Sequence, residues 1–111
     1  MSSSQETIEF LLAQTEGAGR MHAHKMFGEF ALYCDDKVVA LVCDDNLFVK
    51  ITAEGRDFVG AQYQEGLAYP GAKPSMYIPE EKFDDREWLC ELIAITAEAL
   101  PKPKAKKRKQ T

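Results

Sequence analysis

Residues 32–48 read Leu-Tyr-Cys-Asp-Asp-Lys-Val-Val-Ala-Leu-Val-Cys-Asp-Asp-Asn-Leu-Phe, and the triplet Cys-Asp-Asp occurs in them twice. Two thiols and four carboxylates in so short a span spell either a metal site or two similar turns. Between them lies Lys37-Val-Val-Ala-Leu-Val-Cys43, a β-branched run typical of a strand. Aspartate suits the turns because its short side chain bonds its own backbone and tolerates left-handed geometry. If Asp35-Asp36 closes a two-residue hairpin, Cys34 lies opposite Lys37 and Cys43 sits at the far end of the same strand. At about 3.3 Å per residue the two sulfurs are then roughly 20 Å apart. One zinc ion needs both sulfurs within about 2.3 Å, and a disulfide needs Cα atoms within about 7 Å. The hairpin excludes both. Nor is Asp44-Asp45-Asn46 a calcium loop, because its sixth and twelfth positions hold Val49 and Gly55 instead of glycine and glutamate.

Working outward, "KMFGEFALYC" (25–34), "KVVALVC" (37–43) and "NLFVKIT" (46–52) read as three strands of one antiparallel ribbon. Upstream, Ser3 and Glu6 have capping-box spacing, and Ile8, Leu11, Leu12 and Thr15 share a helical face, so a helix is expected over 4–16. Downstream, residues 53–66 read as a short helix with Phe58, Ala61 and Gln62 inward. Leu67–Tyr69 and Ser75–Ile78 read as short edge strands about a Pro70-Gly71 turn. A closing helix begins at an Asp84/Glu87 capping pair and carries Trp88, Leu89, Leu92, Ile93, Thr96 and Leu100 on one stripe, until Pro101 and Pro103 stop it. The order predicts an α+β, two-layer α-β3-α-β2-α fold.

An uninterrupted hairpin register puts Phe30, Leu32, Val39, Leu41 and Phe48 on one face of the sheet with Lys50. Ala31, Tyr33, Val38, Ala40, Val42, Leu47, Val49 and Ile51 fall on the other. A sheet with helices on one side should be polar on its outer side, yet this one is apolar on both. Phe30, Leu32, Val39, Leu41 and Phe48 are therefore the predicted interaction face, and a homodimer is the predicted use of it.

Charge divides the chain of 111 residues in two. Six of the fourteen Lys and Arg fall in "PKPKAKKRKQT" (101–111), which has no acid, leaving eight bases against eighteen acids before it. The body thus stands near −10 and the tail near +6. The tail has no apolar residue larger than alanine, so residues 1–100 are expected to form one domain and 101–111 to be disordered. Lys102, Lys104, Lys106, Lys107, Arg108 and Lys109 can neutralise phosphates, with a salt slope no steeper than about −5 on duplex DNA. With no aromatic in the tail, weak, non-specific nucleic-acid binding is the expectation.

Catalytic spellings are missing: no glycine-rich phosphate loop, nucleophile elbow or His-Glu-x-x-His occurs. Glu80-Glu81 and Asp84-Asp85 suit a helix N-terminus, and His22 and His24 read as surface residues leading into the first strand. Neither a cofactor nor a small-molecule substrate is expected. Cys90 reads as a small core hydrophobe, and the odd number of cysteines favours reduced thiols. No apolar run reaches the ~18 residues of a membrane span, and "MSSSQETIEF" lacks the features of a secretory leader. A cytoplasmic setting is expected.

Met26-Phe27-Gly28 entering a hairpin sheet, an acidic turn before an aromatic strand ending in Lys50, and Tyr77 shortly before Pro79 together resemble the N-terminal domain of the TfoX/Sxy family. The likeness runs over roughly residues 5–100, with Lys25 where that family has arginine. It implies a secretion-chaperone-like fold of the α-β3-α-β2-α type and a role in regulating competence genes through interaction. The resulting expectation is a non-enzymatic regulatory and protein-interaction module in transcriptional control. A nucleic-acid-binding accessory protein acting through its tail is the alternative.

Overall fold

A computed structural model describes residues 5–26, 29–68 and 70–101. Its elements are α1 (Gln5–Gln14), β1 (Met21–Met26), β2 (Glu29–Cys34), β3 (Lys37–Cys43), β4 (Asn46–Val49), α2 (Ala53–Val59), β5 (Glu65–Gly66), β6 (Ser75–Ile78) and α3 (Arg86–Ala99). The strands form one sheet in the order β1-β2-β3-β4-β6-β5, every neighbouring pair antiparallel. The α+β class and two-layer arrangement are those expected, with one strand more than the sequence suggested.

The extra strand, β1, takes in Met21–His24, expected as a loop, together with Lys25 and Met26 from the start of the first predicted strand. Met21–Met26 pairs along its whole length with Glu29–Cys34, so His22 and His24 sit inside β1 and not on a loop. Their alternation was the local signal; the ladder that makes it a strand is formed with residues up to thirteen positions away. Phe27 and Gly28 lie outside the described residues, as do Ser3 and the tail lysines and arginine.

Both hairpins close as read. Asp35 and Asp36 have φ of 52° and 71°, and Asp44 and Asp45 of 54° and 63°. Two consecutive left-handed residues make the type I′ turn whose twist matches that of the strands it joins. Cys34 lies opposite Lys37 and Cys43 opposite Asn46, at opposite ends of β3.

The core lies between the sheet and three helices on a single side. Ile8 and Leu11 of α1, Val59 at the end of α2, and Leu89, Leu92, Ile93 and Ala97 of α3 pack with Leu32, Val39, Ala40, Val42, Leu47, Val49, Met76 and Ile78 of the sheet. The α3 stripe is the one its periodicity predicts, with the cap one residue later: Asp85 accepts from the Trp88 N–H at 3.2 Å. α2 is shorter than expected because Gly60, at φ 63°, turns the chain out of it, leaving Ala61 and Gln62 exposed. Its start is capped by Thr52, whose hydroxyl accepts from the Gly55 N–H at 2.9 Å. The first edge strand falls at Glu65–Gly66, two residues before the expected Leu67–Tyr69. Leu67 itself is 53% exposed. No helix among the described residues is long and apolar enough to cross a membrane.

Candidate functional site: the uncovered face of the sheet

One irregularity decides which residues face the helices. The β2–β3 register slips between Leu32 and Tyr33: Tyr33 pairs with Val38, but Leu32 pairs with Ala40, leaving Val39 as an extra residue. Such a bulge reverses the alternation of everything beyond it. Phe30, Leu32 and Val39 do share a face, as expected, but it is the face under the helices, and all three are buried in the core. Leu41 and Phe48 are carried to the opposite side. The predicted interaction face is therefore corrected. Its five members do not sit together, because the bulge breaks the alternation that an uninterrupted hairpin would keep.

The uncovered face is built instead from two lateral rows. The first runs His24, Ala31, Leu41, Phe48 and Tyr77, one residue from each of β1, β2, β3, β4 and β6. At about 4.8 Å per strand it is roughly 19 Å wide. The second, one step nearer the Asp35-Asp36 turn, runs His22, Tyr33 and Val38, with Lys50 beside them through its N–H to the Val39 carbonyl. Neither Ala31 nor Phe48 belongs to the core cluster under the helices, yet both are buried. Phe48 tilts against Tyr77, ring centres 5.7 Å apart. Gly66 lies close to both because a Cβ there would meet the Phe48 ring at 3.2 Å.

Rings dominate the second row. His22 stacks on Tyr33, centroids 4.8 Å apart and planes within 8°, while His24 meets Tyr33 edge-on at 5.4 Å. None of these three was singled out for this face in the sequence, because their convergence depends on β1 pairing with β2. The row also borders the point where the chain leaves α3. Tyr33, Val38, Lys50, Leu100 and Pro101 line a common cavity of about 420 Å3, together with Asp36 and Lys37.

Carboxylates gather elsewhere. Glu6, Asp44, Asp45, Glu80 and Asp84 line a cleft of about 520 Å3 with Phe10 and Phe83, at the other end of β3. Asp35 and Asp36, at the near end, face Arg20 at 3.8 and 3.6 Å, and Asp35 also accepts from the Arg20 N–H at 2.9 Å. Among the described residues, no three His, Cys, Asp or Glu converge as metal ligands would. All three cysteines are free. Burial pushes the Cys34 thiol up from its ordinary value, with Asp35 adding and Lys37 opposing; burial and Glu29 do the same for Cys43. Cys90 is half-buried, its Sγ 3.0 Å from the Gln14 carbonyl, so it ties α3 to the end of α1.

Of the motif Met26-Phe27-Gly28, Met26 ends β1 opposite Glu29 and the other two lie outside the described residues. Tyr77 and Pro79 bracket the end of β6, with Tyr77 on the uncovered face. An uncharacterized 12.7 kDa protein in the trpE 5′ region of Spirochaeta aurantia is 35% identical over 109 residues, covering 98% of this chain and 93% of that one. The TfoX N-terminal domain family matches residues 13–100, which run from the end of α1 to the end of α3. By that match, and by the sheet and helix order that accompany it, the chain belongs to the TfoX N-terminal domain family.

Proposed function

We propose that this protein is a non-enzymatic regulatory module that acts in transcriptional control of the competence type by docking macromolecular partners on the uncovered sheet face. The observation that carries this reading is the pair Leu41 and Tyr77, half-buried on either side of the buried Phe48 ring, on a side where no described helix packs. A lone antiparallel sheet exposes polar side chains on its outer face; a row of this kind is the signature of an interaction surface. Family membership supports a regulatory role, and such a role is exercised in the cytoplasm.

The partner we favour for this half of the face is a second copy of the chain. Light scattering at micromolar concentration tests it. The expected result is a species of twice the 12.5 kDa chain mass, reduced to monomer by Leu41→Lys or Tyr77→Lys. A single 12.5 kDa species at every concentration would overturn the homodimer.

A further inference from the structure

We infer that the other half of the face, the His22–Tyr33–Val38–Lys50 row with the cavity at the root of the basic tail, binds single-stranded nucleic acid by stacking bases on Tyr33. Three independent observations lead there. First, the stack is already started. His22 covers one side of the Tyr33 ring from β1, so the other side looks toward β3, where Val38 and the 420 Å3 cavity lie. That volume falls within the roughly 300–1,000 Å3 of small-ligand sites. Every base offers a π-face, so an aromatic ring beside such a space binds single strands with little regard to sequence.

Second, the position of the tail's root is held. Lys37 donates to the carbonyls of both Ala97 and Leu100, so the chain enters its run of six cations from a set point beside Tyr33 and Lys50. The tail itself has no ring to stack on a base; the sheet supplies it. Third, the charge here is of the right sign. The body carries eighteen acids, yet the two rows contain Lys50 and no carboxylate. Asp36 borders the cavity, but its carboxylate faces Arg20. An acidic peptide would satisfy the cations and leave the rings unused, which is why a polynucleotide is the better fit.

The test is fluorescence anisotropy of labelled oligothymidylate with the full-length chain, alongside a duplex of equal length and polyglutamate as competitor. Tyr33→Ala should weaken binding roughly tenfold or more, while Tyr33→Phe, which keeps the ring, should leave it unchanged. Lys50 is exposed, so Lys50→Gln probes the same corner without touching the core; it should flatten the salt slope by about 0.7. Trp88, packed on Phe58 on the helix side, reports that each variant is folded. If Tyr33→Ala folds and binds as wild type, or if duplex or polyglutamate binds as tightly as the single strand, the inference fails. It fails equally if Lys50→Gln leaves the slope unmoved. Because Leu41 and Tyr77 are not involved, a chain that dimerises but ignores oligothymidylate loses this inference and keeps the preceding one.

Discussion

The ammonium of Lys37 lies 2.5 Å from the carbonyl oxygen of Ala97, joining the β2–β3 hairpin to the last turn of α3. A second bond, 2.9 Å to Leu100, makes the lysine a cap for the helix's C-terminal end. The last carbonyls of a helix have no intrahelical donor and carry partial negative charge, so a cation there both pairs them and favours the dipole. Lys37→Met keeps the aliphatic stem and removes the donor. It should lower stability by about 1–2 kcal/mol, read as a lower urea midpoint. An unchanged midpoint would mean the cap contributes nothing.

The bulge is tested by two adjacent residues. Leu41 faces outward and Val42 lies fully buried under α3. At concentrations low enough to keep the wild type monomeric, Leu41→Lys should leave the urea midpoint nearly where it was. Val42→Lys places a cation in the core and should cost several kcal/mol, enough to unfold a domain of this size. Were the two effects reversed, the strand would have the opposite phase.

The left-handed turns make a prediction about order, not size alone. At Asp44, φ is 54°. Glycine adopts that conformation freely, whereas alanine pays about 1 kcal/mol for it. Thermal melts should therefore rank Asp44→Gly above Asp44→Ala by that amount. Equal melts would show that residue 44 is not left-handed in solution.

Alkaline stability follows from the thiols. Cys34 and Cys43 have folded pKa values above their ordinary ones, chiefly because burial disfavours the thiolate. A raised folded pKa means stability is fully present below the unfolded thiol's pKa, near 8.5, and declines as pH climbs through the folded value. Urea midpoints should fall above about pH 9, and Cys34→Ala should reduce the decline. Iodoacetamide at pH 8 should modify both residues more slowly in the native chain than in urea. Equal rates in the two states would contradict the burial.

Much of this architecture could be read locally. The type I′ turns at Asp35-Asp36 and Asp44-Asp45, the span of β6, the buried stripe of α3 and the charge of the tail all rest on short-range rules, and Lys37 opposite Cys34 follows from the turn. The candidate site was less legible. Simple alternation places Leu41 and Phe48 outward but groups Phe30, Leu32 and Val39 with them and leaves out Tyr33 and Tyr77.

Composition and periodicity by themselves determined that this chain builds a two-layer α+β domain with an acidic body and a basic end. Tertiary structure alone decided which side of the ribbon faces solvent. The reason is that strand side chains alternate with a period of two, so the one extra residue at Val39 exchanges the faces beyond it. Nothing in the local run Val38-Val39-Ala40-Leu41-Val42 distinguishes the two phases, since every residue in it is apolar. The choice is made by the partner strands and by α3, whose Leu89, Leu92 and Ile93 accept one set of side chains and leave the other uncovered by α3.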